Sequence, residues 1–203
     1  MLIDAQDSQL VLVDYQDRLM PAMHDATQVL TQALRLAQIA QLMGVPVWGT
    51  EQNPDKLGTT HAPLRALYRS TLAKMHFSAV PDGLLACLRP EPAPAQSGGN
   101  ARSLPRHLQR QAAAAPAQRE TIVLAGCEAH VCLLQTALDL LAQDWDVCVV
   151  TDACSSRSER NRDAAFDRLA GAGAELVTTE MVAFEWLRSA LHPQFKAVQA
   201  LIK

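Results

Sequence analysis

The chain has 203 residues, 49% of them hydrophobic but only 4% aromatic, with a formal net charge of −3. That suits one domain with a sizeable core. It offers nucleic acid no basic footprint, and no apolar run reaches the length of a membrane span. The opening "MLIDAQDSQL" lacks a signal peptide's basic start and long apolar stretch. A cytoplasmic address is therefore expected, with the odd set of five cysteines (Cys87, Cys127, Cys132, Cys148, Cys154) as reduced thiols rather than a disulfide framework.

In chain order, "QLVLVD" (9–14) is a short β-branched strand ending in an acid. Residues 25–43 carry Val29, Ala33, Leu36, Ala40 and Met43 at helical spacing, and Gly44 stops that helix. "VPVWGT" (45–50) is the second strand. Residues 51–63 are loop-like, 66–74 read as a short helix leading into a third strand, and "DGLLACL" (82–88) is a short helix. The Pro/Ala/Gln-rich stretch 89–120 marks an insertion or connector, with one helix around 104–114. "TIVLAG" (121–126) is a strand, 130–143 a helix and "DVCVVTD" (146–152) a strand. Residues 155–173 form a helix with a Ser156-x-x-Glu159 capping box. "AELVTT" (174–179) is the last strand, before helices over 180–191 and 194–202.

Short apolar strands without polar alternation, separated by helices, predict an α/β fold. It is doubly wound, with a mostly parallel sheet covered by helices on both faces. Ligands in such folds sit beyond the carboxyl ends of the strands. Those ends carry Asp14, then Glu51 and Gln52, then Lys74, then "GCEAHVC" (126–132), then Asp152.

Cys132 falls in the first turn of a helix, where unpaired N–H groups favour a thiolate. It aligns with Thr136 and Asp139, while Val131, Leu134, Leu138 and Leu141 form an apolar stripe on another side. The sulfur is therefore expected on a more polar flank. An acid to take its proton and a lysine to balance charge would suit nucleophilic attack on a carbonyl, with backbone N–H groups of 128–132 receiving the oxyanion. By spacing alone, Cys132 also reads as a buried thiol, Asp14 as a cap or turn former, and Lys74 as a surface charge.

These segments resemble the isochorismatase-like cysteine hydrolase superfamily. The matching runs are "LVLVDYQDRLMPAM" (10–23), "VPVWGTEQ" (45–52), "KMHFSAV" (74–80), "LAGCEAHVCLLQTALDLL" (124–141) and "VVTDACSSRS" (149–158). The tail 191–203 resembles the subgroup of isochorismatase domain-containing proteins. The resemblance implies a catalytic triad of Asp14, Lys74 and Cys132. It also implies an oxyanion hole from the N–H groups of Glu128 and Cys132, and a cis peptide between Cys127 and Glu128. Nicotinamidases of this superfamily carry an Asp-x-His metal motif after the second strand, where this chain has Gln52-Asn53-Pro54. No metal and no cofactor are expected.

The reading is thus a hydrolase of a small amide, ureido or related carbonyl substrate, working as a homo-oligomer without nucleic acid or membrane partners. Leu19, Trp48, Glu51, Gln52, Phe77 and His130 are candidate substrate contacts. Cys127 is expected to be structural, Gln16 to buttress the turn after Asp14, and Asp152 to tie the turn before the helix containing Arg157. A binding or scaffold protein of the same fold, or a vinyl-ether hydrolase proper to isochorismate, remains compatible with the same residues.

Overall fold

Six apolar runs become strands: β1 (Ser8–Val13), β2 (Val47–Gln52), β3 (Ser70–Lys74), β4 (Thr121–Gly126), β5 (Asp146–Val150) and β6 (Glu175–Val177). The computed structural model describes residues 2–89 and 119–203. The strands form one parallel sheet in the order β3-β2-β1-β4-β5-β6. Every residue of β1, β2 and β4 is buried, as expected of central strands covered on both faces.

Among the described residues eight α-helices accompany the strands: α1 (Ala26–Leu42), α2 (Pro54–Leu57), α3 (Ala62–Arg65), α4 (Leu84–Leu88), α5 (Leu134–Leu141) and α6 (Glu159–Gly171), with α7 (Thr179–Leu187) and α8 (Phe195–Ile202) following β6. α1 packs with α3, α7 and α8, while α5 packs with α6, giving a three-layer α/β architecture. α1 turns its apolar positions Val29, Ala33, Leu36, Ala37 and Ala40 into the core, the 3.6-residue stripe that drives such packing. Among the described residues no helix is long and apolar enough to cross a membrane, and all five cysteines are free thiols.

Several local expectations differ from what forms. The loop-like stretch 51–63 contains α2 and the start of α3, each with proline in its first turn, where the missing N–H costs nothing. α6 is capped by Ser158, whose hydroxyl accepts from Asn161 N–H. Ser156 is instead fully buried, 2.9 Å from the His130 ring. Asp152 ties forward to α7, accepting from Thr179 N–H at 2.9 Å and its hydroxyl at 3.0 Å. The helix expected around 104–114 and nearly all of the 89–120 insertion lie outside the described residues.

Candidate active site

β1 and β4 lie side by side, with Val13 paired to Gly126, and their chains leave in opposite directions across the sheet. This is the switch point at which an open α/β sheet forms a crevice. The close approach needs glycine: a Cβ at position 126 would lie 2.6 Å from Val13 Cβ and 2.7 Å from Val13 O. Three strands then turn away through left-handed non-glycine residues: Asp14 (φ 58°) after β1, Asn53 (φ 38°) after β2 and Glu128 (φ 53°) near the end of β4. Such backbone is uncommon and gathers where a site enforces it. The cis peptide implied between Cys127 and Glu128 is absent; the described residues contain no cis bond. The bend is made by left-handed Glu128, followed by a π-helical turn, Ala129–Leu133, that carries Cys132.

The strand ends bring Asp14, Lys74 and Cys132 together. Lys74 Nζ lies 2.8 Å from Asp14 Oδ2, and both side chains are fully buried. Thr50 donates its hydroxyl to Asp14 Oδ1 at 2.7 Å. Oδ2 faces the Lys74 ammonium, and no other hydrogen bond reaches it among the described residues. The ammonium also donates to Gln52 Oε1 at 2.8 Å, Phe77 O at 2.9 Å and His76 O at 3.4 Å. Cys132 Sγ sits 3.9 Å from the same Gln52 oxygen, which links it to the Lys74 ammonium.

The sulfur is 3% exposed, not on an open polar flank. The innermost face of this helix is Cys132, Leu133, Thr136, Ala137 and Leu140, whereas Val131, Leu138 and Leu141 are only partly buried. This inner face keeps the regular four-residue spacing 132–136–140 and 133–137, so it is the flank of small and polar residues, not the leucine stripe, that turns to the core. Burial, and after it the Asp14 carboxylate, push the Cys132 thiol up to about 12, with Lys74 pulling the other way. The resting sulfur therefore holds its proton at neutral pH.

Gln52 acts within the structure. Its amide bridges Lys74 and Met75 O, and its backbone exchanges hydrogen bonds with the Gln16 side chain, so Gln16 joins the segment after Asp14 to the end of β2. Glu51 is buried and accepts from Thr60 N–H at 2.7 Å, which fixes the loop after α2. Trp48 lies near the opposite end of β2, with its indole N–H on Gln9 and Arg69 over its ring. It is not a wall of this site. Leu19 packs on the core. Phe77 is exposed, and only its carbonyl reaches inward. Both His130 ring nitrogens meet α6-side partners, Ser156 at 2.9 Å and Asn161 at 3.4 Å. Glu128 pairs with Arg157 at 2.8 Å, and Cys127 is sealed against Met20.

Two threonines had no role assigned from the sequence. Thr50 orients Asp14. Thr136, fully buried, donates to Cys132 O at 2.7 Å and accepts from Ala79 N–H at 3.1 Å. Thr136 stands one helical turn after the cysteine, which was the available signal. Among the described residues no three His, Cys, Asp or Glu side chains gather to hold a metal. Gln52 and Pro54 do not fit the Asp-x-His position.

Residues 8–181 match the family described as Isochorismatase domain. Isochorismatase domain-containing protein 2A from Mus musculus is 35% identical over 198 residues, covering 98% of this chain and 84% of the relative. The solved structure of the MAR1 ribonuclease from Caenorhabditis elegans superposes with a TM-score of 0.82 at 30% identity, covering 100% of this chain and 92% of that one. The ycaC gene product of Escherichia coli, described as an octameric hydrolase of unknown specificity, shares the fold with a TM-score of 0.78 at 23% identity, covering 98% and 88%. This chain belongs to the isochorismatase family, a hydrolytic family.

Proposed function

We propose that the protein is a cysteine hydrolase in which Cys132 attacks the carbonyl of a small amide or ureido substrate. The observation that carries this reading is a thiol 3.9 Å from the Gln52 oxygen that also accepts from Lys74, beside a buried carboxylate–ammonium pair at the switch point. Asp14 Oδ2 takes the thiol proton. That transfer neutralises the carboxylate that opposed the thiolate, while the Lys74 charge remains to stabilise it. Sulfur then bonds to the carbonyl carbon, and backbone N–H groups of the 128–132 turn receive the oxyanion, each donor worth roughly 3–4 kcal/mol. The C–N bond breaks as the leaving amine takes the proton from Asp14. Water, deprotonated by the same carboxylate, hydrolyses the thioester and restores the thiol. Gln52 orients the lysine throughout.

The test is a panel of primary amides, N-carbamoyl amides and ureido compounds assayed against wild type and Cys132→Ala. A substrate turned over by wild type and slowed roughly 10³-fold or more in the variant, with an unchanged circular dichroism spectrum, supports the reading. Equal turnover in the variant overturns it. Isochorismate cleavage that survives the substitution favours the vinyl-ether alternative. A binding or scaffold protein would show neither turnover nor Cys132-selective alkylation by iodoacetamide.

Self-association is part of the proposal. Met181, Phe184 and Leu191 are exposed toward the C-terminus, an apolar surface that a second copy would cover. Sedimentation velocity showing only monomer would remove this element.

A further inference from the structure

The Lys74 ammonium takes two of its acceptors, Phe77 O and His76 O, from the bend that follows its own strand. The side chains of that bend point away: Met75 is 66% exposed and Phe77 53%. Apolar packing therefore does little to hold it, and something else must fix its backbone. Asp82 stands at the approach to α4 and does so with a single carboxylate. Oδ2 accepts from Met75 N–H and His76 N–H, both at 2.9 Å, and Oδ1 lies 3.0 Å from His76 Nδ1. On the inner side Gln52 Nε2 donates to Met75 O at 2.9 Å. Further along, Ala79 N–H is held by Thr136. The bend is thus pinned from outside by one acid and from inside by the site.

We propose that Asp82 is a positioning residue: its clamp on the Met75 and His76 amides aims the 76–77 carbonyls at Lys74 and so sets the ammonium between Asp14 and Cys132. Its part in catalysis rests on the cysteine-hydrolase reading above; its part in holding Lys74 does not. The His76 ring, first, and then the His76 N–H keep the Asp82 carboxyl below the usual carboxylate range, so the clamp is charged at neutral pH. The two amide bonds need only an acceptor, however. Asparagine can place its carbonyl oxygen at the Oδ2 position and keep both, whereas alanine can keep neither. The His76 ring contributes one contact of three and is largely exposed, so its loss weakens the clamp without abolishing it.

Lysine side-chain NMR tests this directly. The chain has four lysines, of which Lys56, Lys196 and Lys203 are exposed and Lys74 is buried. A protected 15Nζ–H signal, assigned by its disappearance in Lys74→Met, reports the caged ammonium. Asp82→Ala is expected to broaden or lose that signal and Asp82→Asn to retain it, with His76→Ala between them. Any turnover found in the substrate panel should fall roughly 10- to 100-fold in Asp82→Ala and recover in Asp82→Asn, the scale expected of a misplaced catalytic group. A folded Asp82→Ala with the wild-type Lys74 signal overturns the clamp, whatever the activity shows. If Asp82→Ala fails to fold, a lost signal in folded Asp82→Asn overturns it equally. Failure of the cysteine-hydrolase reading is seen separately, as undiminished turnover in Cys132→Ala beside an intact Nζ response.

Discussion

Lys74 Nζ meets Asp14 Oδ2 at 2.8 Å with neither side chain touching solvent. Such a pair is held by its own attraction and by the donors and acceptors around it: Thr50 on the acid, Gln52 and Phe77 O on the lysine. Removing one member leaves the other buried and unpaired, a loss of about 3–5 kcal/mol. Lys74→Met is therefore expected to lower unfolding free energy by that amount in urea. Asp14→Asn combined with Lys74→Met should recover a substantial part, because no bare charge remains. Both variants should lose turnover. A Lys74→Met protein as stable as wild type would mean that the pair is not closed in solution.

Alkaline stability follows from the thiols. Cys132, Cys148 and Cys154 are each pushed up to about 12, in every case chiefly by burial. In the unfolded chain a cysteine titrates near 8.5. Between those values the unfolded chain has released protons that the folded one keeps, so stability falls as pH rises. The slope approaches about 1.4 kcal/mol per pH unit for each such thiol, and below about pH 8 these groups contribute no pH dependence. Urea melts from pH 8 to 10.5 should show this decline, and Cys148→Ala should make it shallower. A flat profile would show that the thiols are solvated.

The parallel sheet was legible because β1 and β4 carry apolar runs, 10–13 and 122–126, without polar alternation, and the site's location because Asp14, Lys74 and the turn carrying Cys132 stand at or beyond the carboxyl ends of strands. Other features were hidden for physical reasons. Cys132 stays in line with Thr136, as the spacing predicts, but that small and polar flank is the buried one, which the hydrophobic period could not show. Trp48 is adjacent in sequence to site residues, yet a strand rises about 3.3 Å per residue, which leaves it near the far end of β2. Gln52 and Glu51 looked alike as rim residues. Only pairing shows that one serves Lys74 and the other Thr60. Asp82 carried no motif, since its role lies in backbone amides that any sequence possesses.

The two serines near α6 separate a cap from a tie. Ser158 accepts from Asn161 N–H, so Ser158→Ala should cost about 1 kcal/mol of stability, the usual loss for a helix N-cap. Ser156 is buried beside His130, and Ser156→Ala strands a buried polar group at about 1–3 kcal/mol. The two variants should also differ in histidine NMR. Only Ser156→Ala is expected to shift the His130 ring signals strongly. No loss of stability in Ser158→Ala would return the cap to Ser156.

Gly126→Ala tests the junction on which the site is built. The added Cβ would stand 2.6 Å from Val13 Cβ and 2.7 Å from Val13 O. Neither atom can rotate away, since Val13 Cβ is fixed by its backbone and the carbonyl belongs to a paired strand, and β1 and β4 are locked in register from Ser8–Thr121 to Val13–Gly126. The strands must therefore part at their carboxyl ends, at about 1–3 kcal/mol or more for overpacking. The residues that follow directly are Asp14 on one side and Cys127 on the other, so the parting moves the acid relative to the turn that carries Cys132. Turnover should fall further than the loss of folded protein explains, when kcat/KM is corrected by the folded fraction from urea melts. Val13→Gly in the same chain removes the Cβ conflict but leaves the carbonyl one, so rescue should be partial. Full rescue would place the constraint in the Val13 side chain rather than in the backbone approach.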